Sequence, residues 1–389
     1  MILMWLGSFV LALFGLAYSQ KLTDQFSHKL QKNIFDRSLE GNFPAMFQKA
    51  MALVLLQSSP QQSLYSAMGF YNLRILAVRP SILMMCLSSL GAWWVLFLGL
   101  IYLNFNGYFL LGLSSLYLIS VLRTPRMSVF LKWLFAIGVF LIAGEQLLKQ
   151  SALMQNALSQ GDLIFFLADG RFGSVVSILV ASVVISLFVR VEFWSFLLAL
   201  SLLFAGFISF NGAMALVAGE RLGRMALFWF STRNLNQDCR RIGWQFALTS
   251  VVGVLAGLLV AGELRSLIIW SVPLGASQFQ EKGAQFVLLF SVILGFQWLA
   301  QMVWGHFACL VQVDELQDAK YFPKSWLKDE VISPVSYGWM KEKVSKRLSE
   351  IRYHLQGMST LKEGQVPAPL QTRLKAEEEQ LQRFLHDSP

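Results

Sequence analysis

An apolar run enters as Met51-Ala-Leu-Val-Leu-Leu56 and meets Gln57-Ser-Ser-Pro60. It leaves again through Leu64, Tyr65, Ala67, Met68 and Phe70. A polar knot with a proline inside an apolar stretch narrows the possible folds sharply. Proline lacks an amide donor and collides with the preceding turn, so a helix is broken or kinked there. Neither arm reaches the roughly 20 apolar residues needed to cross a bilayer. Two short arms joined in this way make either a re-entrant hairpin that stops at mid-depth or one kinked helix. In the kinked helix the small polar residues would pack on a neighbour. Irregular backbone at membrane depth is tolerated only inside protein or beside a watery cavity.

This reading requires a bilayer, and the composition implies one. Of 389 residues, 55% are hydrophobic and 14% charged, and the mean hydropathy is +0.53. Such a chain is an integral membrane protein. Its net charge of +9 would suit nucleic acid if the cations formed one soluble face. Residues 312–389 instead balance at 12 basic and 12 acidic, and residues 1–311 hold the excess as 20 against 11. Basic residues beside membrane spans set topology, so no nucleic-acid partner is expected. Cys86, Cys239 and Cys309 are far apart, without metal or disulfide spacing, and read as buried thiols. The sequence carries no nucleotide-binding loop, nucleophile elbow, metalloprotease motif or haem motif. Its four histidines are scattered, and the chain does not read as an enzyme.

Met1 to Tyr18 is apolar with no basic residue ahead of it, unlike a signal peptide, and predicts a retained first helix. Lys21 to Asn42 places Leu22, Phe26, Leu30, Ile34, Phe35 and Leu39 near helical spacing. It predicts an amphipathic helix, lying on the membrane surface or solvated. Further apolar runs cover 81–103, 107–122, 129–144, 243–260 and 283–311, and 267–274 reads as a half-span.

The layout repeats. Phe9 to Gly15 and Gly138 to Gly144 each end an apolar run at glycine. A connector follows each, then an apolar run with a polar interruption. That interruption is Gln57-Ser-Ser-Pro60 in the first half and Arg190-Val-Glu-Phe193 in the second. The connector 21–42 carries four basic and three acidic residues, whereas 145–170 carries one lysine against three acids. Later the bias reverses: 91–107 is uncharged and 221–241 holds five arginines. Corresponding connectors therefore fall on opposite sides of the membrane, as in inverted repeats. The expected fold is an all-α polytopic membrane protein of two inverted repeats, about 1–128 and 129–312. Each repeat contains a re-entrant helical hairpin, and a C-terminal helical hairpin follows.

These features resemble the type II sodium/phosphate cotransporter family, including its bacterial members, over roughly residues 5–310. In that family each repeat carries a Gln-Ser-Ser-Ser-type hairpin and then a segment rich in glycine, asparagine and threonine. Gln57-Ser58-Ser59 stands where the first hairpin motif belongs, and Tyr65-Ser-Ala-Met-Gly-Phe-Tyr-Asn72 is similar to the exit helix. Phe210 to Arg224 resembles the approach to the second segment, with Gly219 and Gly223 at its glycine positions. Arg240-Arg241 resembles the basic turn before the next span.

The resemblance implies a sodium-coupled symporter of inorganic phosphate, with no cofactor besides sodium. Its substrate and ion site would include Gln57, Ser58, Ser59, Arg190 and Glu192. The chain would lie in a cell membrane, most simply a bacterial inner membrane, with a cytoplasmic C-terminus. The departures from the family are concrete. Pro60 replaces the third serine, and Arg190-Val-Glu-Phe193 replaces the second hairpin motif. Glu220, Arg221, Arg224 and Met225 replace small and hydroxylated residues. The alternative is a non-transporting scaffold or regulatory membrane protein, descended from a transporter, that acts by binding a partner.

A charge at the centre of a membrane helix costs about 2.5–3.5 kcal/mol, so it is normally paired and faces inward. Glu220 or Glu192 is expected to meet Arg190, Arg221 or Arg224. Either one of these arginines binds an anion such as phosphate, or the pairs lock the fold in place of a former ion site.

Residues 313–389 read as a cytoplasmic helical tail. Val344, Leu348, Ile351 and Leu355 share one helical face, and Leu370, Leu374, Leu381 and Leu385 share another, with Gly364 to Pro369 between them. The pair resembles a shortened PhoU-like domain. It implies self-association as a homo-oligomer, packing on the membrane part, or a protein partner; a solvated tail is the simpler alternative.

Overall fold

The computed structural model describes residues 2–36, 43–56, 59–73, 76, 78–89, 125–158, 171–189, 191, 194–233, 235, 237–271, 278–310, 334–359 and parts of 374–385. Among the described residues there is no strand. The helices are α1 (Ile2–Asp36), α2 (Phe43–Leu56), α3 (Pro60–Asn72), α4 (Val78–Ser88), α5 (Pro125–Leu158) and α6 (Phe172–Phe188). They continue as α7 (Trp194–Phe204), α8 (Phe210–Thr232), α9 (Gln237–Ser271), α10 (Gln278–Leu310) and α11 (Pro334–Ser359).

Four stretches are long and apolar enough to cross a membrane: Leu3–Thr23 in α1, Leu131–Ser151 in α5, Gln237–Leu264 in α9 and Gly283–Ala308 in α10. The shortest are 21 residues, about 31 Å at 1.5 Å per residue, which matches a hydrocarbon core of about 30 Å. The protein is therefore an all-α membrane protein. Helix lengths differ from the sequence expectations where no breaker intervenes. Helix α1 continues past Tyr18 through the amphipathic stretch to Asp36. Helix α9 joins the expected span and half-span into 35 residues and stops two residues before Pro273, where the residue preceding proline disfavours helix.

The chain divides into two compact units that interleave along the sequence. The first comprises Met1–Phe26, Ser89–Leu227 and Leu248–Gln301. Its core contains Leu16, Phe140, Trp194, Leu200 and Ile293, with Phe196 meeting Phe286 and Phe290 at 5.3 and 5.6 Å between ring centroids. Helix α7 packs on α5. Small residues bring backbones together, as membrane helices require. A Cβ on Gly15 would stand 2.7 Å from the Phe140 nitrogen, and one on Gly257 would stand 2.8 Å from the Ile293 Cα.

Helix α6 is built in the reverse sense to a soluble amphipathic helix. Ser174, Ile178, Ser182 and Ser186, one per turn, are buried. Val176, Val180, Val184, Leu187 and Phe188 are exposed. Its hydroxyls close on its own backbone or on α8: Ser186 Oγ donates to the Ser182 carbonyl at 2.6 Å, and Ser182 Oγ donates to the Leu216 carbonyl.

The second unit comprises Ser27–Ser88, Phe228–Ala247 and Met302–Pro389. In it, α3 and α2 pack on α4, and α11 touches α3. The buried face of α11 carries Trp339, Met340, Val344, Leu348 and Ile351; of the expected face, Val344, Leu348 and Ile351 are buried and Leu355 is half-buried. Trp339 presents edge to face with Phe70 at 5.0 Å. Arg347 and Arg352 reach Glu377 and Glu378 at 3.1 and 3.0 Å. Cys86 and Cys239 are buried thiols outside any disulfide, and a Cβ on Gly305 would stand 2.6 Å from Cys86 Sγ.

Candidate functional site

The polar interruption of the first half is a real break in the helix. Helix α2 stops at Leu56 and α3 starts at Pro60. Ser59 is the N-cap, in extended conformation at φ −142° and ψ 129°, and its Oγ accepts from the Gln62 amide at 3.4 Å. Pro60 occupies the first helical turn, where its missing N–H costs nothing. The termination is therefore local: serine and proline restart the helix within four residues. Helix α3 is then buried along nearly its whole length, including Ser63, Ser66 and Asn72. The Tyr65 hydroxyl is hydrogen-bonded to that of Ser231 at 3.0 Å. Of the sequence-expected site, Ser59 is the member the structure describes. Gln57, Ser58, Arg190 and Glu192 lie outside the described residues.

The second interruption separates α6, ending at Phe188, from α7, starting at Trp194. The Val189 amide still donates to the Ile185 carbonyl at 2.9 Å. Here the freed backbone is met by a side chain from far along the chain. Arg224 Nη2 donates to the Val191 carbonyl at 2.6 Å and lies 3.3 Å from Glu220 Oε1. Ser195 Oγ, on the first turn of α7, donates to Glu220 Oε2. Glu220 and Arg224 are each 3% exposed and Arg221 is 8% exposed. The Arg221 guanidinium sits 5.9 Å from the centroid of Phe290, a distance compatible with cation–π attraction. The result is a buried Glu220–Arg224 pair against a broken helix, with a second buried arginine, Arg221, turned to Phe290.

Local sequence explains how α8 delivers these groups. Gly219-Glu-Arg-Leu-Gly223 is a small-xxx-small pattern. A Cβ on Gly219 would lie 2.6 Å from the Leu179 carbonyl oxygen and from Ser182 Cβ, and one on Gly223 would lie 2.7 Å from Ser186 Cβ. The two glycines thus seat α8 on the serine stripe of α6. Glu220 and Arg224 each follow a glycine by one residue, about 100° around the helix, so they point past α6 at the break. The connection into α8 is equally defined. Gly206 has φ 72°, the Gly206 amide donates to the Leu203 carbonyl at 3.1 Å, and the Phe207 amide donates to the Leu202 carbonyl at 2.9 Å. That is a Schellman closure of α7, and Ser209 then caps α8 through the Gly212 amide at 3.2 Å.

Of the arginines expected to meet Glu220, Arg224 does so, from the same helix at i+4 rather than across the core. Ser195 and Val191 were missed; the signal for both was the need to satisfy a helix break inside a membrane protein. Among the described residues at the second break, the Glu220 carboxylate and the Val191 carbonyl both face Arg224.

No family model matches the chain, and neither a curated protein nor a solved structure matches it.

Proposed function

We propose that the chain is an anion-transporting membrane protein of the sodium/phosphate symporter type, carrying inorganic phosphate with sodium as the co-transported ion. The observation that carries this reading is the buried Arg224, whose guanidinium lies at the helix break beside Glu220. A buried guanidinium offers planar, bidentate donors suited to phosphate. Broken helices form substrate sites in secondary transporters, and among the described residues the helices break between Leu56 and Pro60 and between Phe188 and Trp194. In this reading sodium takes its oxygens from Gln57, Ser58 and Ser59, and no step is assigned to it at the second break. Inverted repeats, each with a re-entrant hairpin, would generate the two breaks.

The test is uptake of radiolabelled phosphate by the full-length protein in liposomes under an inward sodium gradient. Uptake stimulated by sodium, and lowered at least tenfold by Arg221→Gln or Ser58→Ala, is the expected result. Uptake no greater than that of protein-free vesicles refutes it.

A second reading has its own support. Glu220, Arg224, Ser195 and the Val191 carbonyl already engage one another, which is what a structural lock requires. The protein would then be a non-transporting scaffold that binds a partner, or a second copy of itself, through the C-terminal helices, which would pair as a hairpin. It predicts co-purification of that partner, lost on deleting residues 334–389 and unaffected by Gln57→Ala.

A further inference from the structure

A cleft of about 580 Å³ opens in the second unit, lined by Trp229, Arg233, Gln237, Arg240, Arg241 and Trp244. Its volume falls in the range of small-molecule sites, about 300–1,000 Å³. The three arginines are exposed at the turn between α8 and α9, and the only acid from 229 to 244 is Asp238. Arg240 and Arg241 make no ion pair among the described residues. Arg233 is held in place by aromatic rings: its guanidinium carbon lies 4.7 Å from the Trp229 centroid and 4.9 Å from that of Phe230. Trp229 in turn stands 5.0 Å from Trp244. Stacked guanidinium groups keep their hydrogen-bond donors pointed outward.

The position of the cleft along α9 decides what it meets. Arg241 is the last charged residue before an uncharged stretch from Ile242 to Gly262, within the candidate span Gln237–Leu264. Arginines ending where an apolar span begins, with tryptophans beside them, mark the headgroup layer of a bilayer. Within α9 alone, helical spacing puts Trp244, Leu248, Val252, Leu255 and Leu259 on one stripe, and all five are exposed. That stripe starts at the cleft and runs away from its charge.

We infer that this cleft binds the headgroup of an anionic phospholipid, with the arginines on the phosphate and the acyl chains along the Trp244–Leu259 face of α9. Charge complementarity supplies the headgroup preference, and the exposed apolar stripe distinguishes a lipid from a soluble phosphate. This site shares no residue with the buried Glu220–Arg224 pair and does not depend on the transport reading.

The experiment uses the full-length protein in neutral detergent and reads its thermal midpoint. It is titrated with short-chain phosphatidylglycerol, phosphatidylcholine of the same chain length, and inorganic phosphate. Phosphatidylglycerol should shift the midpoint at concentrations at least tenfold lower than phosphatidylcholine and at least a hundredfold lower than phosphate. The triple variant R233Q/R240Q/R241Q should abolish the preference, and the corresponding triple lysine variant should retain part of it. If the triple glutamine variant does not fold, R240Q/R241Q replaces it, since both side chains are exposed. In the unaltered protein, raising salt from about 0.05 to 0.5 M should weaken the preference severalfold. Equal responses to the two lipids, a response to free phosphate as strong as to phosphatidylglycerol, or a preference that survives loss of the arginines would each overturn the inference.

Discussion

The two helix breaks solve the same problem by different means. At the first break the chain restarts through its own neighbours: Ser59 caps and Pro60 occupies the first turn. At 189–193 the exposed Val191 carbonyl is met by Arg224, which reaches back 33 positions and brings Glu220 and Ser195 with it. The first break depends on local sequence. The second depends on α6, α7 and α8 being assembled, because the guanidinium arrives only when the glycines of α8 are seated on α6. A local cap contributes about 1 kcal/mol. Removing one partner of a buried ion pair costs about 3–5 kcal/mol, because the other charge is left behind. The breaks should therefore respond very differently to substitution.

The largest effect is expected from Arg224→Ala. It removes the cationic partner of Glu220 and the donor to the Val191 carbonyl, and a loss of about 3–5 kcal/mol is expected in detergent unfolding of the purified protein. The double variant Glu220→Ala/Arg224→Ala should lose less than the two single losses added together, by about 0.5–3 kcal/mol. Strict additivity in that cycle would mean the pair does not hold the break. Next in size is Gly219→Val, which forces side-chain atoms into the Leu179 carbonyl and Ser182. Overpacking of this kind costs about 1–3 kcal/mol, and it should also weaken the effect of Arg224→Ala when the two are combined. Ser59→Ala should cost about 1 kcal/mol and Ser59→Asn almost nothing, since asparagine caps equally well. The smallest change, about 0.4–1 kcal/mol, is expected for Pro60→Ala, which acts mainly by loosening the unfolded chain. A loss at Ser59 or Pro60 as large as that at Arg224 would erase the distinction between the breaks.

Much of this architecture is legible residue by residue. Pro60 after two serines announces the first break, and charges inside an apolar run at 190 and 192 announce the second. The α11 periodicity at Val344, Leu348 and Ile351 predicts its buried face. Helix ends are less legible where nothing punctuates them: from Gly15 to Asp36 there is no proline, and α1 simply continues. The partner of Arg224 was half legible. The i+4 acid at Glu220 is plain in the sequence, but the Val191 carbonyl becomes a partner only once α8 and the break between α6 and α7 are brought together. A backbone acceptor has no side-chain letter to mark it. The serine stripe at 174, 182 and 186 was hidden for a related reason: serines among valines read as a uniformly apolar span until one face is known to be inside.

That stripe bears on how the protein could be re-engineered. Helix α6 keeps its hydroxyls inward and shows valine and phenylalanine to its surroundings, so its surface and its packing are encoded by separate sets of residues. Glutamate or lysine at Val176, Val180 and Val184 would recolour the outside of this segment for water and leave the α8 contact as it is. The same exchange at Ser182 or Ser186 would destroy the contact and gain no solubility.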